Sequence, residues 1–379
     1  MSEDIKIFIS GDFAPTLRIS ELITSGEYAK IYNNMLPVIQ DADFSITNLE
    51  LPLIDNGTPI AKTGPNLKAS PESIKALKFA GFNLVTLANN HIMDYGDEGL
   101  FSTMQLCKDN GIDYVGVGEN LKEASKIKYI NCKGKKIAFV NVAENEWSTT
   151  DGEEAGANPL NEINQYYQIL EAKKKADYVL LIVHGGHETY GLPSPRMKKI
   201  YHYFVDLGVD AVVGHHTHCF SGHEVYKGKP IIYSLGNFIF DKRNKRNNTS
   251  WNIGCAITIL LNEDKFNFQL YPFYQCNEKA GIQLFNAIEF DLFMKNAIEK
   301  TVIIESDELL EAEYKIFLKK QKKMYASFLE PINNKYILAA MNRGLLPLFI
   351  KGKQKRLLLN IIRGEAHRDI VMSILKEEI

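Results

Sequence analysis

Apolar and polar positions change rhythm along this chain. Through about residue 275, apolar runs of strand length alternate with stretches of helical spacing. IKIFIS (5–10) is rich in β-branched residues and stops at Gly11-Asp12, while DFSIT (43–47) and NLVTL (83–87) read as further strands. Positions 27–40 carry helical spacing. A helix is expected to open at Ser70-Pro71-Glu72, with Ser as cap and Pro at the first position, and to close at Gly81. The pattern then predicts a helix near 96–109, a strand over 113–117, a hairpin turning at Asn131-Cys132-Lys133-Gly134 and a helix over 161–175. YVLLIV (178–183) is apolar throughout, as a strand buried on both faces should be. A helix over 195–207 stops at Gly208, and a strand starts at 210–213. This alternation predicts an α/β core with parallel pairing.

After residue 218 the texture becomes β without helices. Short strands are expected at 224–226, 230–234 and 238–240, an exposed loop at 241–250, and a hairpin of 251–261 with 265–274 around Asn262-Glu263-Asp264. From 282 onward the chain is helical in texture, rich in Leu, Ile, Lys and Glu. The expected organisation is one large domain over 1–280 and a helical extension over 281–379.

Charge divides the chain in the same way. The formal net charge is −2. From Lys315 onward there are 14 basic and 5 acidic residues, so the preceding part carries −11. Near-neutrality argues against nucleic acid as a partner. Five scattered cysteines without CxxC spacing read as reduced thiols of a cytosolic protein, and no signal peptide or long apolar span is visible.

The nine histidines are unevenly placed, seven of them in three short stretches. Those stretches belong to five segments in which polar residues directly follow an apolar strand. Asp12 follows the first strand, Asn48-Leu49-Glu50 the second, and Asn89-Asn90-His91 with Asp94 the third. His184-Gly185-Gly186-His187-Glu188 follows YVLLIV, and Gly214-His215-His216-Thr217-His218 follows DAVV. Ligands of open α/β sheets bind beyond the carboxyl ends of the strands, so these segments form one candidate constellation. Carboxylate, imidazole and amide oxygen suit a divalent ion such as Mn, Fe or Zn, one or two per site, and not a thiolate centre. A bridging carboxylate such as Glu50 permits a two-ion arrangement for hydrolysis, with an unliganded His as proton donor. His187, His202 and His223 read as structural.

In order along the chain, Gly11-Asp12, Asn48–Leu53 (NLELPL), Leu87–His91 (LANNH) with Asp94 and Gly96, HGGHE (184–188), VGHHTH (213–218) and YSLGNF (233–238) resemble the CapA family. That family is associated with poly-γ-glutamate capsule production and is similar to the calcineurin-like metallophosphatases. The resemblance implies a four-layer α/β/β/α sandwich. It implies Asp12 and His218 on one ion, Asn90, His184 and His216 on the other, and Glu50 between them. His91 would donate the proton, oriented by Asp94. Glu188, His215, Asn89 and Asn237 would stand behind the ligands or touch substrate. Metallophosphatases usually begin with Asp-x-His, whereas here Phe13-Ala14 follow Asp12, so the Asp12 side lacks one imidazole.

The activity so implied is metal-dependent hydrolysis of a phosphoester or a γ-glutamyl amide. The alternative is a non-catalytic accessory subunit that binds an acidic polymer or a synthase partner in a capsule-synthesis membrane complex. The basic runs at 319–323 and 351–356 flank the apolar stretches 345–350 and 357–362. They suit either packing against the acidic core or peripheral contact with the inner face of a membrane.

Overall fold

The computed structural model describes residues 4–242, 249–262, 266–329, 334–347 and 351–376. The first half lays down β1 (Ile5–Ala14), α1 (Arg18–Thr24), α2 (Tyr28–Tyr32), α3 (Leu36–Gln40), β2 (Phe44–Leu49), α4 (Ser73–Ala80), β3 (Leu84–Thr86), α5 (Gly96–Asn110) and β4 (Asp113–Val115). The helix expected over 27–40 is broken into two by a 3-10 turn at Asn33–Met35. Asn33 has a φ of +46°, and Pro37, lacking an N–H, begins a new helix instead of continuing the old one. Helix α4 opens two residues later than expected. The Ser70 hydroxyl accepts the Glu72 N–H at 3.3 Å within a preceding turn, and Gly81, at a φ of +94°, closes the helix.

Next come β5 (Val117–Gly118), α6 (Leu121–Ala124), β6 (Lys128–Cys132), β7 (Lys135–Ala143), β8 (Gly156–Ala157), α7 (Glu162–Lys175), β9 (Tyr178–His184), α8 (Pro195–Asp206) and β10 (Ala211–His215). The strand expected over 113–117 splits at Gly116, whose φ is +94°, and β5 leaves the main sheet to pair with β8. Then follow β11 (His223–Tyr226), β12 (Lys229–Ile232), β13 (Asn237–Phe240), β14 (Ile253–Leu261), β15 (Asn267–Gln275) and β16 (Ile282–Leu284). Strands β14 and β15 form the expected hairpin, although Glu263 and Asp264 of its turn lie outside the described residues, as do 243–248 of the expected loop.

Among the described residues two large sheets form. One has the order β16-β15-β14-β1-β2-β3-β4, with β13 paired to β1; the other runs β11-β12-β10-β9-β7-β6. Alternating side chains of β1, β9 and β10 sort the core into layers. Ile5, Ile7 and Ile9 meet Leu180, Ile182, Ala211 and Val213 between the sheets. Phe8 and Val85 on the outer face of the first sheet pack on Ile19, Ile74 and Leu100 of its helices. Val179 and Leu181 on the outer face of the second pack on Ile169 of α7 and Tyr201 of α8. The result is helix, sheet, sheet, helix, the four-layer sandwich the resemblance implies. Each fully buried Ile or Phe stabilises it by about 1.5–3 kcal/mol.

The extension follows as α9 (Ala287–Glu305), α10 (Asp307–Leu329), α11 (Lys335–Asn342), α12 (Gly352–Arg363) and α13 (Glu365–Lys376). Its contacts with the core are both apolar and polar: Phe293 and Ala297 of α9 join the cluster between the sheets, and Ile304 packs with the outer layer of the second sheet. Lys300 Nζ donates to the Phe220 carbonyl at 2.5 Å, and Thr301 Oγ1 to that of His223 at 2.7 Å. Arg196 of α8 bridges Glu144 (2.5 Å) after β7 and Asp369 (2.7 Å) on α13. Tyr314 and Phe317 of α10 pack on His187 and Tyr190. Lys351, Lys353 and Lys355 are exposed, together with Leu359 and Ile362, while Ile361 faces inward. Positions 348–350 of the expected apolar stretch lie outside the described residues. Among the described residues no helix is long and apolar enough to cross a membrane, and none of the five cysteines forms a disulfide.

Candidate metal centre

The strand ends of both sheets converge. Asp12 lies near the end of β1, Glu50 follows β2, and Asn90 follows β3 in the first sheet; His184 ends β9 and His216 and His218 follow β10 in the second. Gly11 is required beside Asp12. A Cβ there would stand 1.8 Å from the Gly236 carbonyl oxygen, so only glycine lets β13 approach β1 this closely. His216 and His218 both adopt positive φ (87° and 57°), a conformation costing each about 1–3 kcal/mol, which the surrounding structure holds in place.

Two groups of ligand atoms result. In one, His184 Nε2 lies 3.0 Å from Asn90 Oδ1, 3.1 Å from His216 Nδ1 and 3.5 Å from Glu50 Oε1. In the other, His218 Nδ1 lies 3.7 Å from Asp12 Oδ2 and 3.9 Å from Glu50 Oε2. Within each trio, Glu50-His184-His216 and Asp12-Glu50-His218, the ligand atoms lie within 4.8 Å of one another. Glu50 belongs to both, one oxygen to each. It is fully buried, and neither oxygen has a hydrogen-bond partner. Burial, and next the Asp12 carboxylate, raise its pKa well above the ordinary value. A buried, unpartnered carboxylate between imidazoles is what a cation would satisfy. The donor set therefore fits one or two divalent ions, with identity open among Mn, Fe and Zn.

Supporting residues fix these ligands. Asp12 turns Oδ2 toward the site and Oδ1 away from it. Oδ1 accepts from Asn48 Nδ2 at 2.8 Å and lies 3.5 Å from His215 Nδ1. Burial pushes the Asp12 carboxyl up, but His215, His184 and His218 outweigh it, and the net shift is downward. Burial holds His184 and His218 below the usual histidine pKa, a shift toward the neutral ring that ligation needs. Asn89 is entirely enclosed: its Nδ2 donates to the Leu49 carbonyl (2.9 Å) and its Oδ1 accepts from the His91 N–H (3.1 Å), so it braces two loops and is closed to substrate. Asn237 Oδ1 lies 2.9 Å from His218 Nδ1. Glu188 is exposed; desolvation raises its carboxyl, yet the imidazoles of His218, His216 and His91 bring it below the ordinary value.

His91 Nδ1 meets Asp94 Oδ2 at 2.7 Å, which leaves Nε2 free of that contact. Asp94 also accepts the Leu67 N–H at 2.6 Å and pairs with Lys62. Sequence reasoning missed Lys62, whose Nζ lies 3.2 Å from His91 Nδ1, and Glu146, 3.5 Å from His216 Nε2. Both sit in irregular segments with no periodic signal. Asn48 was in view beside Glu50 but unassigned. The three remaining core histidines pack structurally. His187 Nε2 contacts Tyr314 Oη at 3.0 Å, and burial lowers its pKa to about 3. His202 pairs with Glu224 at 2.7 Å and stacks on Tyr226; His223 packs edge-on against Phe268.

Residues 6–242 match the family model described as bacterial capsule synthesis protein PGA_cap. The chain belongs to this family. The capsule biosynthesis protein CapA of Bacillus anthracis is 34% identical over 250 residues, which is 64% of this chain and 61% of that protein. The PGA biosynthesis protein CapA of Bacillus subtilis (strain 168) is 34% identical over 231 residues, 59% of this chain and 60% of that protein. The match thus spans about three fifths of these relatives' length. A probable polyglutamine synthesis accessory protein of Mycobacterium tuberculosis is 24% identical, over 71% of this chain and 77% of that protein. Among solved structures, a 5'-nucleotidase from Candida albicans SC5314 aligns with a TM-score of 0.42 at 12% identity, covering 86% of this chain and 58% of that one. That likeness is too distant to carry an argument. The motifs of this PGA_cap member that hold Asp12, Glu50, His184 and His218 all fall inside the matched segment, whereas the helical extension lies beyond it.

Proposed function

We propose that this protein is a metal-dependent hydrolase of capsule or polyglutamate synthesis, acting on a phosphoester or a γ-glutamyl amide. The observation that carries the reading is Glu50, buried with both oxygens unpartnered between two sets of ligand atoms. Asp12, Glu50 and His218 would hold one cation, and Glu50, Asn90, His184 and His216 the other. Bound cations in such a site supply Lewis acidity and a nucleophile at neutral pH. The chain's own residues do the rest. His91 holds the proton that the leaving group takes, at Nε2. Asp94 fixes the ring through Nδ1, and the buried Lys62 ammonium holds Asp94 in place. Glu188, at the mouth, accepts donors from the substrate.

The test is hydrolysis by the Mn(II)-loaded full chain, with p-nitrophenyl phosphate and a γ-linked glutamate oligomer as probes. Cleavage of one of them, lost with chelator and restored with Mn(II), is expected; cleavage of neither contradicts the reading. A binding role without turnover has one observation in its favour, the missing imidazole on the Asp12 side.

The polymer pathway suggests an acidic substrate and a membrane-linked synthase partner. Exposed Leu359 and Ile362 beside Lys353 and Lys355 support peripheral contact of the extension with anionic lipid. The full chain should then float with phosphatidylserine-containing liposomes at low salt and not with neutral ones. Equal behaviour with both removes this contact.

A further inference from the structure

The Asp12 side holds fewer ligand atoms than the other, yet Asn237 stands beside it in the same relation that Asn90 bears to His184. Asn237 is fully buried at the start of β13, in register with Asp12 on the neighbouring strand β1. Its amide orientation is fixed from behind: Nδ2 donates to the carbonyls of Trp251 (3.1 Å) and His218 (3.4 Å), so Oδ1 must face the other way. That oxygen lies 2.9 Å from His218 Nδ1, the same ring nitrogen that faces Asp12 Oδ2 and Glu50 Oε2. On the other side Asn90 Oδ1 lies 3.0 Å from His184 Nε2, the nitrogen that faces Glu50 Oε1. Two ligand atoms held at about 2.1 Å from one cation, at right angles, are about 3 Å apart. Both pairs have that spacing. Without a cation each pair is an N–H···O hydrogen bond; with one, both lone pairs can turn on the same ion.

We propose that Asn237 Oδ1 is a direct ligand of the cation held by Asp12, Glu50 and His218, in place of the imidazole that Phe13-Ala14 do not supply. The inference rests on the metal-centre reading above. It makes the two sides pseudo-symmetric, each with one amide oxygen, at least one imidazole and one oxygen of Glu50.

The test compares Asn237→Ala and Asn237→Asp in the full chain by calorimetric titration with Mn(II), alongside the d–d absorption of the Co(II)-loaded forms. Asn237→Ala should weaken the weaker binding step by about tenfold or more, leave the tighter step unchanged, and alter the Co(II) spectrum of the second equivalent. Asn237→Asp decides the role. A carboxylate ligand adds charge and should tighten that step beyond wild type. If Asn237 only accepts a proton from His218, a carboxylate there would hold the proton on Nδ1 more firmly and weaken the step. Weakened binding in Asn237→Asp, or an unchanged weaker step in both variants, overturns the proposal. Failure of the wild-type chain to take up any Mn(II) would instead defeat the metal-centre reading itself.

Discussion

Glu50→Ala is expected to abolish uptake of divalent metal at both positions and, with it, any hydrolytic turnover. Each Glu50 oxygen faces a different group of ligand atoms, so one substitution removes the element common to both. The folded state should survive and gain stability in the apo form. The wild-type carboxyl is buried beside Asp12, and removing it relieves that desolvation and repulsion. Metal content by elemental analysis and the thermal midpoint without metal check the two halves of this result. Metal retained at wild-type stoichiometry in Glu50→Ala would contradict the bridging role. An Ala at His218, by contrast, should remove one ion and leave the other.

His91→Ala should separate chemistry from binding. Its Nδ1 is committed to Asp94, and it belongs to neither trio of ligand atoms. A lost general acid typically costs about 10²–10⁴-fold in rate, or roughly 3–5 kcal/mol of transition-state stabilisation at ~1.36 kcal/mol per tenfold. The expected pattern is a fall in kcat of that size with metal stoichiometry unchanged. The loss should be smaller for a substrate with a good leaving group such as p-nitrophenolate, which needs little protonation, than for an alkyl ester. Equal losses for the two leaving groups would assign His91 to positioning instead of proton donation. Loss of metal would make it a ligand.

Much of this centre was legible in the sequence because chemistry-bearing residues followed apolar runs directly. An apolar strand that ends in Asp, Asn or His has delivered a polar side chain to a sheet edge, and several such edges in one α/β fold must meet. Asp12, Glu50, Asn90, His184, His216 and His218 all carried that signal. Lys62 and Glu146 did not. They reach the site from irregular segments, and only tertiary packing brings Lys62 to Asp94 or Glu146 to His216. Asn237 was visible in the YSLGNF run, but its amide orientation depends on the Trp251 and His218 carbonyls. The break of the 27–40 helix was harder to see than its apolar spacing, because Pro37 fits the first turn of a second helix as well as it breaks the first. The helical texture of the extension was plain from its composition. Its seating was not, since that depends on single long-range contacts such as Arg196 with Asp369.

The central claim is that Glu50 lies between two cation sites. Its most direct test is the stoichiometry of Mn(II) bound by the full wild-type chain, purified without chelator, reconstituted and freed of excess ion. The account predicts two equivalents per chain in two distinguishable steps, the tighter at Asn90, His184 and His216. A single bound equivalent, or no ion bound after reconstitution with Mn(II), Zn(II) or Fe(II), would contradict it.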